Sequence, residues 1–145
     1  MSNLPPPLPP SSPPPGFMPP PPPPTLQQPE IIKLMLENLD QKTGVFSKQT
    51  FRLLITDRRL IFVLQQKNGI DYLKRDPALS LAENPANFEI PLQQLVKIET
   101  YSAGMDDSSP DYMIVISDTQ KLRFNIKNYY KVQRQLKAIL GNKTA

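Results

Sequence analysis

Asp106, Asp107 and Asp111 cluster in one short loop and are the chain's nearest approach to a cation site. Carboxylate oxygens suit a hard divalent ion. The spacing lacks the alternating aspartates, the glycine and the distal glutamate of a calcium loop, so the ordinary reading is a solvated loop. Other catalytic chemistry is thin. There is no histidine and no cysteine, and the five glycines are isolated. That removes the commonest general base, a Cys/His zinc site, any Ser–His or Cys–His nucleophile pair and a glycine-rich phosphate cradle. We expect no metal, no cofactor and no enzymatic activity.

Cations offer binding chemistry instead. Lys127, Lys131 and Arg134 recur at i, i+4 and i+7, with Lys137 close by. On a helix they form one basic stripe, opposite Val132, Leu136 and Ile139. A stripe of this kind suits anionic lipid or an acidic partner. An ordinary solvated helix face has the same composition. Arg58 and Arg59 sit in the polar knot Thr56-Asp57-Arg58-Arg59. One of them would anchor a phosphate or, the preferred reading, pack its stem and pair with Asp57 or a nearby carboxylate. The basic residues are not interleaved with surface aromatics, so nucleic acid is not an expected partner. The net charge of +4 is compatible with an anionic partner without requiring one.

The chain of 145 residues has room for one domain, and its composition divides it. Fifteen of the nineteen prolines fall in residues 1–29, which carry no charged side chain. Runs such as LPPPLPPSSPPPGFMPPPPPP make neither helix nor sheet and favour extended polyproline II. This arm is expected to be disordered. Residues 30–141 form the foldable unit, and 142–145 a short tail. No apolar run approaches a membrane span, and a signal-peptide pattern is not seen, so a soluble cytoplasmic protein is the expectation, with membrane association at its surface as the alternative. The Asn142-Lys143-Thr144 triplet matches a glycosylation sequon but has no secretory signal to support it.

Strand patterns dominate the foldable unit. In 30–39, Ile32, Leu34 and Leu36 alternate with polar or flexible neighbours, which favours a strand; Ile31, Met35 and Leu39 would also suit a helix face. DQKTG then turns the chain. Phe51, Leu53 and Ile55 face one way, as do Leu60, Phe62 and Leu64, and the polar knot between them reads as a hairpin turn. Leu54, Ile61 and Val63 are apolar too, so both faces of these strands should be covered. Asp76-Pro77 announces a short helix over 77–83. Strands are expected from Leu95 to Tyr101, from Tyr112 to Ser117 and over 121–126, the last two joined by Asp118-Thr119-Gln120. Tyr129, Val132, Leu136 and Ile139 then mark an amphipathic helix, with Asn128 as its cap and Gly141 at its end. Its apolar face must bury against the sheet.

LLITDRRLIFV, FEIPLQQLVKIE and KLRFNIKNYYKVQRQLKAIL together resemble pleckstrin-homology-like domains of the GRAM and bacterial PH type. The resemblance covers residues 30–141 and implies a mainly β fold. It would be a bent antiparallel sheet or partly open barrel of about seven strands, capped by a C-terminal α-helix. Phosphoinositide-binding members resemble one another in a lysine followed by a basic-x-basic pair across the first hairpin. Lys42, Lys48 and Arg52 lie in that region, but Arg52-Leu53-Leu54 lacks the closing step, so inositol-phosphate binding is not assigned. In the arm, Pro6-Pro7-Leu8-Pro9 looks like a WW-domain ligand, and Phe17-Met18 with the prolines after it is similar to profilin or EVH1 ligands. A semi-rigid spacer is the alternative. The expected function is a non-enzymatic protein-binding or scaffolding unit with a proline-rich tether. The alternative is a peripheral module that binds anionic lipid through the basic helix face.

Overall fold

The computed structural model describes residues 29–67, 69–103 and 110–144. The proline arm up to residue 28, with the Pro6-Pro7-Leu8-Pro9 motif, lies outside the described residues, as do Asp106 and Asp107. Seven strands make one antiparallel sheet: β1 (Ile32–Lys42), β2 (Lys48–Thr56), β3 (Arg59–Leu64), β4 (Phe88–Pro91), β5 (Leu95–Tyr101), β6 (Tyr112–Ser117) and β7 (Lys121–Asn125). Their order across the sheet is β4-β3-β2-β1-β7-β6-β5. The two edge strands, β4 and β5, are neighbours in the chain, linked only by the 3₁₀ turn Leu92–Gln94. So short a link forces the sheet to curl until its edges approach. Among the described residues two α-helices complete the fold, α1 (Pro77–Ala82) and α2 (Tyr129–Leu140).

The curl encloses one core. Leu53, Ile55, Leu60, Phe62, Ile98, Met113, Val115 and Phe124 are fully buried in it, with Leu136 of α2. Phe62 stacks on Phe88 at 4.6 Å and on Phe124 at 5.1 Å, while Phe51 meets Phe88 and Phe124 edge-on. These offset and edge contacts suit the ring quadrupoles. The outer face of β2 and β3 is covered as well. Leu54, Ile61 and Val63 form a second cluster with Tyr72, and Leu81 of α1 packs on it. The alternation-free LLI and LIFV runs therefore serve two apolar layers, as expected of central strands.

Several local details depart from the sequence reading. β1 runs to Lys42, into the expected turn DQKTG, and carries a bulge. Leu36 and Leu39 are both buried although three residues apart, and Asn38 between them takes a positive φ of 61°. The extra residue returns Leu39 to the inner face. Asn38 N–H donates to Gln65 Oε1 and Gln65 Nε2 donates back to Asn38 Oδ1, both at 3.0 Å. β4 was not anticipated: Phe88–Pro91 is too short to display a period, and its pairing with β3 defines it. Asp76 caps α1 by accepting from Ala78 N–H at 3.0 Å, as Asp-Pro predicts. Asn128 does not cap α2 with its side chain; at φ 59° only its carbonyl engages, accepting from Val132 N–H. Gly141, at φ 55°, ends α2. Beyond it Lys143 Nζ donates to the Leu92 carbonyl at 2.6 Å, and Thr144 bridges Ile98 on the β5 edge.

Candidate functional site: the loop end of the sheet

The strand directions give the curled sheet two unlike ends. β1 and β2 meet at the turn 43–47, and β3 ends beside Phe51 of β2, at the same end. β7 runs antiparallel to β1, so the β6–β7 turn 118–120 lies there too. This is the loop end. The β2–β3 turn and the entry of the chain at 29–31 lie at the other, entry end.

The β1–β2 turn is well formed. Thr43 N–H donates to the Ser47 carbonyl at 3.0 Å, and Thr43 Oγ1 to Ser47 Oγ at 3.0 Å. A turn held this way should carry polar residues at its tip. It carries Val45, 90% exposed, and Phe46, fully exposed. Among the described residues they are the two most exposed of the large apolar side chains. Around them stand cations. Lys42 and Lys48 flank the turn, and Lys42, Lys121 and Arg123 line one cavity beside it, of about 500 Å³. Lys48 pairs with Asp40 at 3.3 Å, and Arg123 lies over the Tyr112 ring at 3.9 Å from its centroid. Tyr112 stacks on Tyr101, whose hydroxyl donates to Glu99. That hydrogen bond holds the Glu99 carboxyl below, and the Tyr101 phenol above, its ordinary range.

The entry end contrasts in every detail. Thr56 Oγ1 accepts from the N–H groups of Arg58 and Arg59, both at 3.0 Å, and donates to Glu30 Oε2 at 2.6 Å. The threonine hydroxyl, not the aspartate, closes this turn. Asp57 reaches across instead and accepts from Ile31 N–H at 3.0 Å. Arg59 grips Glu30 with Nε at 2.9 Å and Nη2 at 2.8 Å, and its Nη1 donates to Glu89. Burial works against the Glu30 charge, but hydrogen bonds from Arg59 and Thr56 outweigh it and hold its carboxyl below the usual range. The same pairing raises the Arg59 guanidinium. Of the two readings of this knot, the structure places Arg59 in the carboxylate pair; Arg58 is exposed.

The helix stripe is partly reassigned. Lys131, Arg134 and Lys137 are exposed on α2, away from buried Val132 and Leu136. Lys127 precedes α2; it lines one cavity with Asn38, Lys48 and Arg52 and another with Lys131. Arg52 pairs with Glu37 at 3.2 Å. Asp111 accepts from Ala103 N–H at 2.9 Å. Sequence reasoning missed the Val45-Phe46 tip. The signal for the tip was present, in two large apolar residues placed inside a turn. Compared with protein-family models and with curated proteins, the chain matches none.

Proposed function

We propose that this chain is a non-enzymatic, pleckstrin-homology-like interaction module that docks on anionic membrane surfaces with its loop end. The observation that carries this is the solvent-exposed Val45-Phe46 tip on a hydrogen-bonded turn, with Lys42 and Lys48 at its shoulders. Magnitudes decide how it works. Burying both tip side chains in a lipid interface is worth about 3–5 kcal/mol, before the cost of association. Each lysine near an anionic leaflet adds about 1 kcal/mol. Neither contribution suffices alone, so binding requires both and weakens with salt. Among the described residues no helix is long and apolar enough to cross a membrane, and the reading invokes none.

Chain layout favours a second role. The arm leaves from the entry end, where Arg59 clamps Glu30, on the far side from the tip. A module seated by its loops keeps residues 29–31, where the arm joins, at the end opposite the membrane, and the arm's role would be to recruit a proline-binding protein at raised local concentration. The basic face of α2 is the competing membrane surface. Co-sedimentation of the full chain with vesicles of graded anionic content tests the choice. Phe46→Ser should abolish salt-sensitive binding, and Lys131→Ala/Arg134→Ala/Lys137→Ala should retain it. The opposite pattern would move the docking face to the helix. No binding at any composition would leave the protein-partner role alone.

A further inference from the structure

The two halves of the sheet differ in how their outer faces are covered. On β2 and β3 the outward Leu54, Ile61 and Val63 are buried with Tyr72, and Leu81 of α1 packs on them. β6, the middle strand of the other half, is also apolar on both faces. Met113 and Val115 point into the core, while Tyr112, Ile114 and Ile116 point outward and stay half-buried. The two isoleucines pack against neither core cluster. Register lines up three outward rows across β5, β6 and β7: Tyr101–Tyr112–Asn125, Glu99–Ile114–Arg123 and Lys97–Ile116–Lys121. A strand apolar on both faces is normally covered on both, yet among the described residues no helix or second layer lies on this one.

The chemistry of this open face narrows what can cover it. Tyr112 stacks on Tyr101 with centroids 4.8 Å apart and has the Arg123 guanidinium 3.9 Å from its own centroid. Tyr101 is 37% exposed and belongs to the edge strand β5, so no further strand stands beside its ring. Arg123 has no ion pair or hydrogen bond among the described residues, which leaves its donors available. Aromatic rings beside unengaged donors suit a ligand made of apolar rings and bare carbonyls. A proline run is such a ligand, since each residue offers a ring and a carbonyl but no N–H. The missing N–H also prevents the run from adding to the β5 edge as a strand, so it must bind through side chains.

We propose that this face is the docking site of the chain's own proline arm, through Phe17–Pro24. The arm joins the domain at Pro29. Its 28 residues, at about 3.1 Å each when extended, outspan a domain whose radius of gyration is about 13 Å, so it reaches any face. Gly16 and the stretch Thr25-Leu26-Gln27-Gln28 interrupt the prolines and let the chain turn back. Six prolines, Pro19–Pro24, cover about 19 Å, enough to cross three strands about 4.8 Å apart. Phe17 brings an aromatic ring for the Ile114–Ile116 column. The first charged residue of the chain is Glu30, so the contact uses no ion pair and resists salt. Tethering supplies an effective concentration of about 1 mM, and any affinity tighter than that keeps the arm mostly docked. The arm is then a latch. A proline-binding partner must displace it from Tyr101 and Tyr112, so only partners that bind more tightly gain access.

The chain has no cysteine, so Thr25→Cys takes a single nitroxide label beside Pro24. In NMR spectra of the full chain the label should broaden the amides of Tyr101, Tyr112, Ile114 and Arg123, and added salt should leave that pattern in place. Pro20→Gly/Pro22→Gly, which changes no residue of the folded domain, should reduce the broadening by about threefold or more. Tyr101→Ser/Arg123→Ala should do the same while the cooperative melt persists. Broadening confined to the surroundings of residues 29–31, or equal broadening in the glycine variant, overturns the proposal. Mixing an isotope-labelled chain with a separately spin-labelled one should give no broadening; equal broadening in that mixture would place the arm on a second copy and overturn docking within one chain. The latch does not use the Val45-Phe46 tip, so Phe46→Ser should leave the broadening intact whether or not vesicle binding is lost, and the two readings fail separately.

Discussion

The two hairpin turns at the ends of β2 are built to opposite specifications. At Thr56–Arg59 two backbone N–H groups, a hydroxyl, an arginine and two glutamates close on one another, leaving little for a partner to use. At 43–47 the backbone is equally well held, yet its tip offers Val45 and Phe46 to solvent. Polar residues in the first turn stabilise the fold. Apolar residues in the second contribute nothing to the folded chain that a serine would not. The difference separates a structural turn from a contact turn, although composition alone would suggest the reverse, with the arginine-rich knot as the binding element.

Substitutions should expose that difference in order of size. Phe62 lies at the centre of the stacked aromatic core on the strand that leaves the structural turn. Phe62→Asp would bury a charge without a partner and should abolish the cooperative melt; an unchanged melt would contradict the central-strand placement. Arg59→Met takes from the largely buried Glu30 its hydrogen-bonded cation and should cost about 2–4 kcal/mol in denaturant unfolding. Thr56→Val strips the acceptor from two N–H groups and should cost about 1–2 kcal/mol. Phe46→Ser should change stability by less than about 0.5 kcal/mol. A large loss there would mean the tip packs against something in the folded chain.

Acid sharpens the same contrast. The Glu30 carboxyl is lowered in the folded state, so its contribution is present above the unfolded carboxylate range. It is lost as pH falls out of the ordinary carboxylate range and through the lower folded value. The wild-type chain should therefore lose stability on that acid limb. Glu30→Gln should start less stable at neutral pH and show a flatter limb; parallel curves would show that the pair contributes little.

Most of the fold was legible because most of it is periodic. Clean alternation marked β7, the apolar run YMIVIS marked β6, the 3.6-residue spacing marked α2, and Asp-Pro marked α1. Coverage of both faces of β2 and β3 was readable from Leu54, Ile61 and Val63, although the covering group, Tyr72, was not. β4 escaped because four residues ending in proline display no period. The bulge at Asn38 escaped because it breaks the alternation by which strands are read. Site residues were harder, for a physical reason. Lys42, Lys121 and Arg123 reach one cavity only through the curl of the sheet, and no spacing along the chain records that. Lys127 fell into the helix stripe because its interval to Lys131 is helical, though α2 begins two residues later.

The chain contains no tryptophan, so one introduced at either turn reports alone. The most direct test places it at Phe46→Trp or at Arg58→Trp and follows emission as anionic vesicles are added. The account predicts a blue shift for the tip reporter, reversed by salt, and no change for the reporter at the structural turn. A silent tip reporter on vesicles that bind the chain, or a shift at Arg58→Trp instead, would contradict it.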